Sequence, residues 1–204
     1  MPLAKKMIIS EFHSPKISNY KHMKYSSVPT KVMLMIIFLS SFSFAQIRVS
    51  VGGYIGGGII KGESPSIGAF TTSIFIETNT VLFLEVTPRL SFIYARDFDT
   101  IIPNVKKPYL PYVQGFTLKG IATQYFENQI FIEEGVGLLA LNDRTFSDTD
   151  VWGYGVVFSL SGGWDLRGFN LNGFKLGAGV EFGITFNNTL ARYSSLHLYF
   201  NYTL

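Results

Sequence analysis

Ser195 and His197 stand one residue apart in "SSLHLYF", and Glu181 lies a short way upstream in "GAGVEFGI". A serine, a histidine and an acid are the parts of a hydrolytic triad, in which the imidazole takes the hydroxyl proton and the carboxylate orients the ring. On an extended chain Ser195 and His197 point the same way, but at strand rise they are about 6–7 Å apart, long for proton transfer. Other groupings invite chemistry too. "GVGLLA" (135–140) matches a dinucleotide-binding G-x-G-x-x-A, yet "LNDRTFSD" follows where a helix must open. Asp97 with Asp99, and Asp148 with Asp150, have carboxylates to offer Ca²⁺, but neither pair has EF-hand spacing and solvated loop charge is the plainer account. Residues 46–204 hold no Cys and a single His, too few for a nitrogen–sulfur metal site. No residue is therefore assigned to catalysis, to a cofactor or to a metal.

Strands have to position these side chains, because the hydrophobic period is two. In "GFKLGAGVEFGITF", Phe174, Leu176, Ala178, Val180, Phe182, Ile184 and Phe186 alternate with Lys175, Gly177, Gly179, Glu181, Gly183 and Thr185. "VWGYGVVFSLSGG" sets Trp152, Tyr154, Val156, Phe158 and Leu160 against Gly153, Gly155, Val157, Ser159 and Ser161. "LFLEVTPRLSFIYAR" sets Leu82, Leu84, Val86, Pro88, Leu90, Phe92 and Tyr94 against Phe83, Glu85, Thr87, Arg89, Ser91 and Ile93, with a bulge expected at Pro88, which has no N–H. The closing strand, 194–204, ends in "LHLYFNYTL", which puts Leu196, Leu198, Phe200, Tyr202 and Leu204 on one face. Weaker strands over 47–60, 66–77, 110–124 and 128–141 bring the expected count to eight. Connections are short at 78–80 and 126–128 and longer at 97–108, 142–150 and 187–193, while 165–173 is long for the short-turn side. Eight hairpin-linked antiparallel strands close into an up-and-down barrel.

The N-terminus reads differently. After Lys31 come 14 uncharged residues, "VMLMIIFLSSFSFA", with small Ser43 and Ala45 before Gln46. A basic flank, a short apolar run and small residues at the junction make a cleavable signal peptide, and the run is shorter than the roughly 20 residues of a membrane helix. The expected division is 1–45 as N-terminal extension and signal peptide, with translation from Met1 or Met23, and 46–204 as one barrel domain starting at Gln46. Residues 1–45 hold 6 of the 17 Lys and Arg but only one of the 14 acids, which leaves 46–204 with 11 bases, 13 acids and a formal charge of −2. The basic pI of about 9.0 thus belongs to the leader and gives no ground for nucleic-acid binding. An exported chain without Cys gains nothing from disulfides.

The polar faces decide between water and lipid. A soluble barrel turns Lys, Glu and Thr outward, whereas here the faces opposite the apolar ones carry Gly153, Gly155, Ser159, Ser161, Gly177, Gly179 and Gly183. Small side chains suit a narrow lumen, and the Phe, Leu, Ile and Val faces suit lipid. Tyr94, Tyr109, Tyr112, Tyr125, Trp152, Tyr154, Phe186, Tyr193 and Tyr202 lie near strand ends, as interfacial girdles do. On this register Glu85, Arg89, Lys119, Glu133, Lys175 and Glu181 point inward and should pair, because an unpaired buried charge is costly. Glu134 then points at lipid, unless a bulge or a rim position excuses it. Phe182→Lys is expected to cost about 2–4 kcal/mol and to block assembly, and Gly183→Ser to be mild.

With its signal peptide, its glycine-rich "VSVGGYIGGG", its strands "IEEGVGLL" and "FKLGAGVEFGI" and its alternating final strand, residues 46–204 resemble the small bacterial outer-membrane β-barrels of the OmpA/OmpX transmembrane-domain type. The resemblance implies an integral outer-membrane protein, non-enzymatic, with a side-chain-filled lumen and a role in envelope integrity or in surface-loop interactions. Its expected partners are outer-membrane lipid and, during biogenesis, the barrel-assembly machinery, with no cofactor. That machinery reads a terminal aromatic residue, and this chain ends in Leu204 with Tyr202 two residues earlier. Two alternatives stand beside this reading: a lipid A-modifying hydrolase using Ser195, His197 and Glu181, and a soluble exported barrel that binds an apolar ligand.

Overall fold

A computed structural model describes residues 48–78, 86–101, 108–126, 129–167 and 172–204. The leader at 1–45, the junction at Gln46, and Leu82, Leu84 and Glu85 lie outside the described residues. The eight strands are β1 (Val49–Lys61), β2 (Ile67–Thr78), β3 (Val86–Asp97), β4 (Tyr112–Phe126), β5 (Ile130–Arg144), β6 (Val151–Asp165), β7 (Gly173–Thr185) and β8 (Arg192–Thr203). Each pairs antiparallel with the next and β8 returns to β1, so the sheet closes and no edge is left unpaired. One end carries the first residue of β1 and the last of β8. The opposite end, called the loop end below, carries the turns that leave β1, β3, β5 and β7.

The expected bulge at Pro88 is absent. Pairing to β4 runs through Pro88↔Gly120 without a break, while pairing to β2 stops at Glu77↔Arg89. Pro88 lies past the last β2 partner, where a missing N–H forfeits no bond from that side. The dinucleotide-like 135–140 lies in mid-β5, with no helix after it. Asp97 caps the short 3₁₀ turn Phe98–Thr100 by accepting from the Asp99 N–H at 3.0 Å. Asp150 accepts from Asn142 and pairs with Arg144 at 2.9 Å, so both Asp positions serve their own loops. Among the described residues no three His, Cys, Asp or Glu side chains converge as metal ligands.

Alternation carries through to the three-dimensional faces. Along β7, Phe174, Leu176, Val180 and Phe182 are exposed on the outer wall, while Lys175, Gly179, Glu181 and Gly183 are buried. The lumen is layered. Ile60, Ile93, Val113, Leu139, Leu141 and Val157 form an apolar layer toward the loop end, and Phe75, Phe131 and Tyr199 form an aromatic one toward the chain ends. Small lumen residues were expected; large apolar ones share the space with them. At the loop end the Asp143 carboxylate accepts from the backbone N–H of Glu63 (3.3 Å) and of Thr145 (3.0 Å), and from the Thr145 hydroxyl (2.8 Å). This latches the β1–β2 turn to the β5–β6 turn across the mouth. Glycine is needed at position 62 for the close approach, since a Cβ there would stand 2.1 Å from Asp143 Oδ2.

Candidate functional site: the polar lumen and the outer wall

Two ion-pair networks cross the lumen, the first interleaved with the aromatic layer toward the chain ends and the second nearer the loop end. Arg89 donates to Glu77 (Nε–Oε2 2.7 Å) and to Glu133 (Nη2–Oε2 2.6 Å), and Lys175 reaches the other oxygen of Glu133 at 3.2 Å. Tyr199 donates to Glu133, and the Arg89 guanidinium lies 4.5 Å from the Phe75 ring centroid. In the second network Lys119 pairs with Glu181, which also accepts from the hydroxyls of Tyr54 (2.9 Å) and Tyr193 (2.7 Å). The six charges balance, three acids against three bases, each with a partner at hydrogen-bond distance.

The expected inward charges Arg89, Lys119, Glu133, Lys175 and Glu181 are all here. The third acid is Glu77, which was not singled out because it sits in a weakly alternating strand; its signal was the cross-strand register opposite Arg89. Tyr193, placed in the girdle by its position near a strand end, is instead wholly buried and donates into the lumen. Trp152, Tyr154, Tyr202 and Phe186 do face outward, and Trp164 joins them. Tyr125, also expected in the girdle, is instead on the inward face of β4 at the chain-end mouth, where Lys175 Nζ lies 5.2 Å from its ring centroid and Arg167 donates to its hydroxyl at 3.0 Å.

Ser195 and His197 are closer than strand rise implies. Ser195 Oγ stands 3.1 Å from His197 Nδ1, because side chains on a strand lean along it and the imidazole reaches back over the short serine. The distance alone therefore gives no ground against proton transfer. The surroundings do. Ser195 Oγ also bonds Thr71 Oγ1 at 2.7 Å, the imidazole stacks on Tyr54 with centroids 3.9 Å apart, and both residues are buried in the lumen. Glu181 makes no bond to His197; its oxygens go to Lys119, Tyr54 and Tyr193. Among the described residues no acid hydrogen-bonds the imidazole to orient it.

Gly183 also corrects an expectation. A Cβ there would meet the Tyr193 ring at 2.3 Å and Leu139 at 2.9 Å, so serine at this lumen position is crowded, not mild. Glu134 is exposed on the outer wall in unbroken register between Ala122 and Leu160, four residues into β5, with neither bulge nor strand-end position to excuse it. Its neighbours along the strand on that face are Ile132 and Val136, both exposed.

No protein-family model matches the sequence, and no curated protein does. Among solved structures, the crystal structure of Neisserial surface protein A aligns with a TM-score of 0.58 at 9% identity, over 78% of this chain and 97% of that one. Ail, the attachment invasion locus protein of Yersinia pestis, gives 0.47 at 8% identity, over 78% of this chain and 97% of that one. The N-terminal β-barrel domain of Pseudomonas aeruginosa OprF gives 0.40 at 14% identity, over 78% and 100%. The likeness to the Neisserial protein is one of fold: a closed antiparallel barrel of eight strands, the architecture of the OmpA/OmpX-type barrels.

Proposed function

We propose that this chain is an integral outer-membrane barrel, exported with cleavage after Ala45 and inserted by the barrel-assembly machinery. Its lumen is structural, and its activity lies in its loops or in envelope integrity, without catalysis. The observation that carries this reading is the inversion of polarity: six paired charges inside, and an outer wall of exposed residues such as Ile55, Ile74, Leu138, Leu196 and Leu198. In water that wall would exceed the apolar patch a soluble monomer tolerates; in a bilayer it is the lipid-facing band.

The 3.1 Å Ser195–His197 contact keeps a hydrolase as the second reading. A lipid ester would have to reach a buried serine already bonded to Thr71, beside a histidine with no acid behind it. One experiment tests both. The protein should stay with membranes through carbonate and high salt, leave only with detergent, and begin at Gln46. Mass spectra of lipid A from cells with and without it should be identical, and unchanged by His197→Ala. Release by carbonate means a soluble barrel. An acyl chain that is missing with wild type and returns with His197→Ala means the hydrolase.

A further inference from the structure

At the loop end of the outer wall, β1 stops at Lys61 and β8 starts at Arg192, and the register sets the two opposite each other. Like charges directly across an antiparallel pair repel and weaken the sheet. Among the described residues no acid pairs with either of them. The nearby Glu63 is engaged at the mouth, where the Thr149 hydroxyl donates to it. Lys61 and Arg192 share a depression of about 210 Å³ with Ser66 and Ser194, whose hydroxyls have no hydrogen-bond partner among the described residues.

That depression opens into a second, of about 860 Å³, and the two have Ile59, Phe182 and Ser194 in common. The larger one crosses the outer wall over β5 to β8 and β1, lined by Phe158, Leu160, Val180 and Leu196, with Glu134 also in its lining on β5. The result is an apolar groove with two unpaired cations and two free hydroxyls at one end and a carboxylate on its far strand.

We infer that this is a binding site for an acylated phosphate, a lipid of the leaflet at the loop end. Its phosphate sits between Lys61 and Arg192, and an acyl chain lies along the groove. Charge sets the orientation, since the reversed pose brings the anion to Glu134 and leaves both cations bare. The phosphate also relieves the repulsion across the Lys61–Arg192 pair, so the pair stops being a liability once the lipid is bound. A free phosphate has nothing with which to fill the groove. A zwitterionic lipid fills it but brings its own ammonium beside two cations. The inference rests on the membrane reading, because the groove meets acyl chains only if the wall does.

The test uses the purified barrel in maltoside micelles, which carry no phosphate. Amide shifts of Lys61 and Arg192 are followed while short-chain phosphatidic acid, phosphatidylcholine of the same chain length, or inorganic phosphate is added. Phosphatidic acid should bind at least about tenfold more tightly than either of the others, as expected for two basic residues beside an anionic lipid. Lys61→Gln with Arg192→Gln should abolish that preference while the barrel still migrates as a compact species before boiling. Arg48→Gln at the chain-end side should not. Equal binding of phosphatidylcholine, equal binding of inorganic phosphate, or a preference that survives the double substitution would overturn the inference. The protein's need for detergent is read in the same preparation, so a lost preference in a barrel that still needs detergent sinks the lipid site alone.

Discussion

At the scale of the residue, neighbours on one strand have opposite tolerances. Val180 lies at the centre of the outward row that runs from Phe174 along β7 to Phe186, one residue past its end, and it is exposed. Phe182 is one outward step nearer the loop end and shares its depression with Arg192. The sharper probe of the bilayer midplane is therefore Val180→Lys, expected to cost about 2–4 kcal/mol, with Phe182→Lys costing less as the site nears the interface. Gly183→Ser should cost about 1–3 kcal/mol by crowding the Tyr193 ring, a penalty of overpacking and not of polarity. Urea-induced unfolding in lipid vesicles measures all three. A Val180→Lys barrel as stable as wild type would mean that this face does not meet lipid.

At the scale of the element, strands were legible because each must serve two environments at once. In β6, β7 and β8 one face is large and apolar and the other small or polar, so the period of two, the faces and the limits within about two residues could all be read. Where both faces are mixed, as in β2, the strand was found but Glu77 was not placed, and its salt bridge to Arg89 went unseen. The start of β3 was read from Leu82, and the described strand begins at Val86. Contacts between side chains two apart, such as Ser195 with His197, depend on rotamers that alternation does not encode. The same holds for Tyr193, whose ring turns inward to Glu181 from a position that looked like a girdle. The Glu181–Lys119 pair joins β7 to β4 across the lumen, so its loss should be felt by both strands. Glu181→Leu alone should destabilise by about 3–5 kcal/mol, because it leaves Lys119 buried without a partner. Adding Lys119→Met should recover most of that. A remainder of about 1–3 kcal/mol is expected from the hydroxyls of Tyr54 and Tyr193, which lose their acceptor. If the double variant is no more stable than the single, the pair is not the source of the cost.

At the scale of the whole molecule, closure replaces the core of a soluble domain. Every strand has two neighbours, six charges in the lumen neutralise one another, and most of the large apolar surface is turned outward. The wall then supplies little difference between one loop arrangement and another, and order at the mouth has to come from specific bonds. Asp143 provides them. It reaches from the end of β5 to the turn after β1, two hairpins that stand half a circumference apart. Amide hydrogen exchange makes the consequence visible. Loop amides ordinarily exchange at nearly the rate of free peptide, because local opening there costs almost nothing. The Glu63 and Thr145 amides should instead exchange slowly and in step, since both are freed only when Asp143 lets go. Asp143→Ala should return the two to independent, fast exchange and leave the mid-strand amides of β1 and β5 protected. Two loops separated by 80 residues of chain would then be shown to open as one door on one hinge pin.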